Sequence, residues 1–160
     1  MKDVKIYTDG ACRGNPGRGG FGFVLITKDK DDNEIRRESS FGFRLTTNNR
    51  MELMAVIYAV DCLKFSCSIT IYTDSKYVAD AFLKNWIQTW INRNWKKCKN
   101  VDLWKNLLSK LQLHKYKFVW VKGHSDNKEN ELCDRLATEA ADNLNNLLVD
   151  ENYELYNKTL

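Results

Sequence analysis

Two short segments of this chain end alike. Ile6-Tyr7-Thr8-Asp9-Gly10 and Ile71-Tyr72-Thr73-Asp74-Ser75 share Ile-Tyr-Thr-Asp, each followed by a small residue that permits a turn. Each reads as a strand that ends in Asp. If the two strands lie parallel and adjacent, both carboxylates project from one carboxyl edge of a sheet, where open α/β sheets bind ligands. An Asp at a strand end also serves as a turn residue or helix cap. Glu52 carries the argument further, because it falls on one stripe of a predicted helix with Ala55, Val56, Ala59 and Leu63. A carboxylate on an apolar stripe needs a partner, since burying an unpaired charge is costly. A metal ion is one such partner, and a helix N-terminus is a weaker one. Asp134 repeats the situation beside Ala137 and Ala141, with a salt bridge to Lys or Arg as the alternative. Four carboxylates without a nearby His or Cys pair form a hard oxygen set, suited to Mg²⁺ or Mn²⁺ rather than Zn²⁺. Two such ions about 4 Å apart activate a water and stabilise the leaving oxygen of a phosphodiester.

The elements that must position these groups follow from periodicity. Strands are predicted over residues 3–9, 21–27 and 34–44, with a Gly-rich loop between the first two and a hairpin loop at 29–33. Thr46-Thr47-Asn48-Asn49 offers N-cap chemistry for a buried helix over 50–65. A strand over 68–74, helical stretches over 75–84, 86–97 and 102–113, a strand over 116–121 and a helix over 129–148 complete the pattern. Three strands in an antiparallel meander, then two more strands each preceded by helix, imply an α/β fold with a mixed sheet and helices on its faces. Residues 1–148 are expected to form one domain, with 149–160 a loose polar tail.

Composition narrows the class. The chain has 160 residues, 43% hydrophobic and 29% charged, with one Pro, which excludes a disordered or collagen-like protein. The longest mostly apolar run, Leu53 to Val60, is too short to span a bilayer, and the charged N-terminus is no signal peptide. A cytoplasmic protein without a membrane partner is expected. Five Cys with no CxxC pair suggest neither a disulfide framework nor a zinc knuckle. The formal net charge of +4 is unevenly distributed: residues 84–122 alone carry an excess of +9. Such a segment suits a polyanion, or is simply a solvated face. Together with the carboxylates, it points to a metal-dependent enzyme acting on nucleic acid.

At these residues the chain closely resembles the bacterial form of the type 1 ribonuclease H family, over about residues 3–144. The motifs that carry the resemblance are Tyr7-Thr8-Asp9-Gly10-Ala11-Cys12-Arg13-Gly14-Asn15-Pro16-Gly17, Thr46-Thr47-Asn48-Asn49-Arg50-Met51-Glu52-Leu53, Thr73-Asp74-Ser75-Lys76-Tyr77-Val78, Asn100-Val101-Asp102-Leu103-Trp104, Trp120-Val121-Lys122-Gly123-His124 and Glu129-Asn130-Glu131-Leu132-Cys133-Asp134. The resemblance implies a ribonuclease H-like fold with a five-stranded mixed sheet. It implies a monomer that hydrolyses the RNA strand of an RNA–DNA hybrid, leaving 5′-phosphate and 3′-hydroxyl ends. It places the metal ligands at Asp9, Glu52, Asp74 and Asp134, for two Mg²⁺ ions with Mn²⁺ as a substitute. Asp9, Asp74 and Asp134 go to the ion that activates water, and Asp9 and Glu52 to the ion at the leaving oxygen. His124 takes the family's mobile-loop position, with an acid, shuttle or product-release role.

Hybrid specificity requires sensing 2′-hydroxyls on one strand only. The resemblance assigns RNA-side contacts to Cys12, Asn15, Asn48, Ser75 and Lys76, and a DNA-strand phosphate to Thr47, Asn48 and Arg50. Trp86 is expected on the DNA strand, Trp104 in the core, and Lys96, Lys97 and Lys99 as sequence-independent phosphate contacts. His114 is expected to be structural. The chain departs from the family in a short loop from Trp95 to Val101, in Ser125-Asp126-Asn127-Lys128 after His124, and in Lys76 where Gln is commoner. No separate hybrid-binding domain is expected before Met1. Two rival functions are a junction-cleaving nuclease of the same fold and a non-catalytic binding module.

Overall fold

The computed structural model describes residues 1–123 and 127–159, with side chains described as far as Tyr156. The strands are β1 (Lys2–Arg13), β2 (Gly17–Lys28), β3 (Glu34–Thr46), β4 (Cys67–Thr73), β5 (Lys115–Trp120) and β6 (Leu147–Leu148). The helices are α1 (Asn48–Asp61), α2 (Lys76–Leu83), α3 (Trp86–Asn92), α4 (Val101–Leu111), α5 (Lys128–Asp142) and α6 (Glu151–Thr159). The sheet order is β5-β4-β1-β2-β3-β6. β1, β2 and β3 form the expected antiparallel meander, and β4 and β5 add in parallel beside β1. The expected five strands become six, because the two-residue β6 pairs in parallel with Gly42 and Phe43 at the far edge.

The repeated tetrapeptides pair with each other. Ile6 lies opposite Ile71 and Tyr7 opposite Tyr72 in the parallel β1–β4 ladder. The two tyrosine rings stack at 4.5 Å, and the two isoleucines are buried on the other face. Equal sequence in equal register brings Asp9 beside Asp74, although only β4 ends there: β1 does not stop at Asp9 as its sequence predicts but runs on to Arg13 against β2.

Helices cover both faces. Helix α1 lies on one face with nearly every residue from Arg50 to Val60 buried, as its all-round apolar sequence predicts. On the same side Trp104 of α4 is fully buried, and its indole N–H donates to the Tyr77 hydroxyl at 2.9 Å. Helix α5 covers the other face through Cys133, Ala137 and Ala141. It lies so close that a Cβ on Gly42 would overlap the carbonyl oxygen of Ala140. This explains one departure from expectation. The Gly-rich stretch after Asp9 reads as a loop, yet β1 and β2 pair without interruption from Lys5–Ile26 to Arg13–Arg18. Several of these glycines keep the strand surface low enough for a helix to lie on it.

Three further boundaries differ. Left-handed backbone at Asn94, Trp95 and Lys97 follows the end of α3 at Asn92, where the sequence predicts helix as far as Lys97. Helix α5 stops at Asp142 rather than at Leu148, where the Asn143 side chain turns the chain by accepting from the Asn145 N–H at 3.3 Å. The C-terminal segment is not loose. It forms α6, anchored because Asp150 is buried against Arg50 and Glu154 holds Arg44 in a two-pronged contact at 2.8 and 2.9 Å.

Candidate active site

Three of the four predicted carboxylates converge. Asp9 ends the β1 repeat, Glu52 lies at the start of the second turn of α1, and Asp74 follows β4. One carboxylate oxygen from each lies within 4.8 Å of the others. Asp134, on α5, lines the same cleft of about 390 Å³ but stands outside that tight group. Asp9 and Glu52 are each only 5% exposed. Gly10 makes the approach possible: a Cβ there would sit 2.6 Å from the Glu52 backbone nitrogen and 2.9 Å from its Oε1.

The electrostatics of this group are unfavourable on their own. Burial, then repulsion from Glu52 and Asp74, pushes the Asp9 carboxyl well above the usual carboxylate range. Glu52 is raised for the same reasons, by burial first and then by Asp74. Glu52 Oε1 is buried without a hydrogen-bond partner among the described residues. A buried, unpartnered carboxylate oxygen among like charges fits a hard divalent cation, which would supply the missing positive charge and accept oxygen ligands.

Around the carboxylates the sequence places the expected polar residues, with different roles. Ser75 caps α2 by accepting from the Val78 N–H at 3.2 Å, and its own N–H donates to Thr73 Oγ1. The Lys76 ammonium sits 5.1 Å from the centre of the Trp120 ring. Trp120 carries no sequence signal as a site residue, yet its indole N–H donates to the Asp74 carbonyl at 3.1 Å. Glu131 and Asn49 also line the carboxylate cleft. Sequence reasoning misses them as site residues, because one polar side chain outside the core resembles any other in sequence. His124, like Ser125 and Asp126, lies outside the described residues.

A second cleft, of about 700 Å³, is walled by Asn15, Thr47, Lys99, Asn100, Asn152 and Tyr156 among others, and it shares Asn49 with the first. Asn15 Oδ1 accepts from the Asn48 N–H at 3.0 Å, tying the β1–β2 turn to the start of α1. Thr47 caps α1 by accepting from the Arg50 N–H at 3.2 Å. Cys12 faces inward, its thiol donating to the carbonyls of Thr46 and Gly17 at 3.5 and 3.6 Å.

Arg50 does not fit the expected role of holding a DNA phosphate. It is 4% exposed. Its guanidinium donates to Asp150 through Nε and one terminal nitrogen, to Asp102 through both terminal nitrogens, and to Asn100. These hydrogen bonds use all five of its N–H donors, so none remains for a phosphate. Instead Arg50 locks the starts of α1, α4 and α6 together. For Asp102, burial alone would raise the carboxyl, but the hydrogen bonds from Arg50 outweigh it and hold it below its usual range.

The basic segment divides. Trp90 packs 5.1 Å from Trp104 and joins the core, whereas Trp86 is 38% exposed with the Lys84 ammonium 5.8 Å from its ring. Lys96, Lys97 and Lys99 are all exposed. His114 is structural as expected, its Nδ1 accepting from the Cys67 N–H at 3.0 Å.

The RNase H family model matches residues 1–142. A ribonuclease H of Rippkaea orientalis is 52% identical over 158 residues, covering 96% of this chain and 93% of its own length. One of Lachnoclostridium phytofermentans is 50% identical, covering 93% of this chain and 97% of its own. Among solved structures, LC9-RNase H1, a type 1 RNase H with the type 2 active-site motif, superposes with a TM-score of 0.80 at 29% identity, over 88% of this chain and 72% of that one. LC11-RNase H1 in complex with an RNA/DNA hybrid superposes with a TM-score of 0.62 at 26% identity, over 87% and 96%. The tight carboxylate group at the sheet edge is thus set in a chain that belongs to the RNase H family, in its bacterial type 1 form, and has ribonuclease H activity.

Proposed function

We propose that this protein binds RNA–DNA hybrids and hydrolyses their RNA strand with the help of two divalent cations, leaving 5′-phosphate and 3′-hydroxyl ends. The observation that carries this reading is the convergence of Asp9, Glu52 and Asp74 within 4.8 Å at the sheet edge, with Asp134 on the rim. The resemblance assigns Asp9, Asp74 and Asp134 to the ion that activates water, and Asp9 and Glu52 to the ion at the leaving oxygen. Mg²⁺, with Mn²⁺ as a substitute, supplies there a lowered pKa for the attacking water and a charge opposite the leaving 3′-oxygen. Asp9 and Glu52, ionised once a cation is bound, would hold the cations in a part-buried cleft where charge acts strongly, and through them would neutralise the phosphate that the carboxylates alone would repel. His124 takes the role of moving a proton near the leaving group or releasing product, on the strength of the resemblance alone.

The resemblance supports the substrate reading, and the surfaces beside the carboxylates are compatible with it. The resemblance assigns Ser75, Lys76, Asn15, Asn48 and the backbone at Cys12 to the RNA strand, where short polar groups suit a shallow minor groove lined by 2′-hydroxyls; of these Asn15 walls the second cleft rather than the carboxylate cleft. The second cleft, with Thr47 and Asn100 at helix starts and Lys99 at its wall, takes a phosphate of the DNA strand, with Asn48 beside it in the carboxylate cleft. Trp86, Lys96, Lys97 and Lys99 extend that contact. No helix among the described residues is long and apolar enough to cross a membrane. The protein acts as a monomer in the cytoplasm.

The test is direct. Labelled RNA–DNA hybrid, double-stranded RNA and double-stranded DNA are each incubated with Mg²⁺, Mn²⁺ or chelator. Cleavage restricted to the RNA of the hybrid, and abolished by chelator, is the expected result. Cleavage of double-stranded DNA or double-stranded RNA instead, or no metal-dependent cleavage at all, would overturn it.

A further inference from the structure

We infer that the C-terminal helix α6 is part of the substrate-binding surface, and that the Tyr156 ring packs against the deoxyribose-phosphate backbone of the DNA strand. This deepens the reading above, and it rests on the second cleft taking the DNA strand.

The helix is held in place rather than lying loosely on the surface. Asp150, just before α6, is buried and accepts from Arg50 and from the Thr46 hydroxyl at 2.7–2.8 Å. Glu154 receives the Arg44 guanidinium. Asn152 donates to Asp102 at 3.2 Å, and the Arg50 guanidinium lies 5.8 Å from the centre of the Tyr153 ring. These attachments pin both the start and the middle of the helix, and they fix which of its side chains reach the cleft.

Asn152, Tyr153 and Tyr156 all line it, together with Asn15, Thr47 and Lys99. Tyr153 and Tyr156 are three residues apart and so share one helix face. Tyr153 is half-buried under Arg50, whereas Tyr156 is 63% exposed at the cleft rim. An aromatic ring offers a flat apolar face and a polar tip, which suits the apolar edge of a deoxyribose and its adjoining phosphate. In a paired hybrid the DNA bases are stacked away, so sugar and phosphate are what the rim meets. A ribose in the same place would present a 2′-hydroxyl to the ring face, an unfavourable exchange for a hydroxyl that water would otherwise solvate. The ring therefore favours the strand that is not to be cut.

The full chain carrying Tyr156→Ala and Tyr156→Phe is compared with wild type on an RNA–DNA hybrid. Steady-state kcat and KM are measured with Mg²⁺, and hybrid affinity is measured by fluorescence anisotropy in chelator at several salt concentrations. Tyr156→Ala should raise KM and Kd by about fivefold with kcat unchanged, an effect of the size expected for one aromatic contact. Tyr156→Phe, which keeps the ring, should stay near wild type. The slope of log affinity against log salt should not move in either variant, because no charge is removed. Unchanged affinity in Tyr156→Ala, or an equal loss in Tyr156→Phe, overturns the assignment while leaving the hybrid reading intact. Wild-type protein that neither binds nor cleaves the hybrid overturns both.

Discussion

Replacing Asp9 by Asn should stabilise the metal-free protein while abolishing cleavage. Asp9, Glu52 and Asp74 bring carboxylate oxygens within 4.8 Å of one another, and two unit charges at that distance repel by about 3.5 kcal/mol at an effective dielectric near 20. Asn keeps the shape of Asp9 and removes two of the three pairwise repulsions. Protonation already relieves part of the strain in the wild type, so the net gain is about 2 kcal/mol, or about 4–8 °C in Tm for a chain of this size. The pH dependence has a definite sign. Asp9 and Glu52 are both raised in the folded state, so the fold binds more protons than the unfolded chain at intermediate pH. Their contribution to stability is full below the ordinary carboxylate pKa of about 4 and is lost as pH rises through the raised folded values. Thermal melts in chelator should therefore show Asp9→Asn above wild type near neutral pH, with the gap closing at about pH 3. Saturating Mg²⁺ should raise the wild type and narrow the gap from the other side. A variant that melts at or below wild type in chelator near neutral pH, or whose advantage is the same at about pH 3, would refute the reasoning.

Three other perturbations test the frame around the site. Asp150→Ala leaves the buried Arg50 with one carboxylate instead of two and should cost about 3 kcal/mol, read as a lower denaturation midpoint. Gly42→Ala drives a methyl group into the Ala140 carbonyl of α5 and should destabilise by about 2 kcal/mol by the same measurement, with no loss of catalytic competence in the molecules that remain folded. Replacing Lys96, Lys97 and Lys99 together by Ala should weaken hybrid binding and flatten the slope of log affinity against log salt by about 1 for each phosphate that is no longer neutralised. An unchanged slope would place these exposed lysines away from the nucleic acid.

What is legible in the sequence is local or repeated. The Ile-Tyr-Thr-Asp pair announces two neighbouring strands, and its parallel register in the sheet is the reason that both Asp residues arrive together, although β1 runs on beyond Asp9. Glu52 betrays itself as a charge on an apolar stripe, and it is indeed buried. What escapes reading depends on partners distant in sequence. Arg50 and Asp150 are 100 residues apart, and neither carries a local sign that it will be buried against the other. The helical C-terminus follows from that pairing, since its own composition is mostly polar and gives only Tyr153, Leu155 and Tyr156 as apolar material. The glycines after Asp9 mislead for a related reason: Gly breaks local patterns, but here several of them receive a helix that the chain supplies more than 110 residues later. Trp120 is visible in the sequence as a strand aromatic and as part of a family motif, but with no role assigned, and its bond to the Asp74 carbonyl needs the β4–β5 register to exist.

The positions of these long-range pairs also explain why the chain can hold an unfavourable charge cluster at its sheet edge. Glu52 and Arg50 lie two residues apart at the start of α1, one among like charges and the other saturated by opposite ones. The Arg50 hydrogen bonds fix the first turn of α1 from the side of α4 and α6, so Glu52 cannot relax away from Asp9 and Asp74 without breaking them. The stability gained at the Arg50 junction thus offsets the repulsion stored at the carboxylates. The same junction sets the floor of the second cleft, so one buried guanidinium keeps the cleavage site and the DNA-strand cleft at a fixed separation. A loss at Asp150 should then appear first as poorer positioning of Glu52, seen as weaker Mg²⁺ stabilisation of the folded protein, before the fold itself gives way.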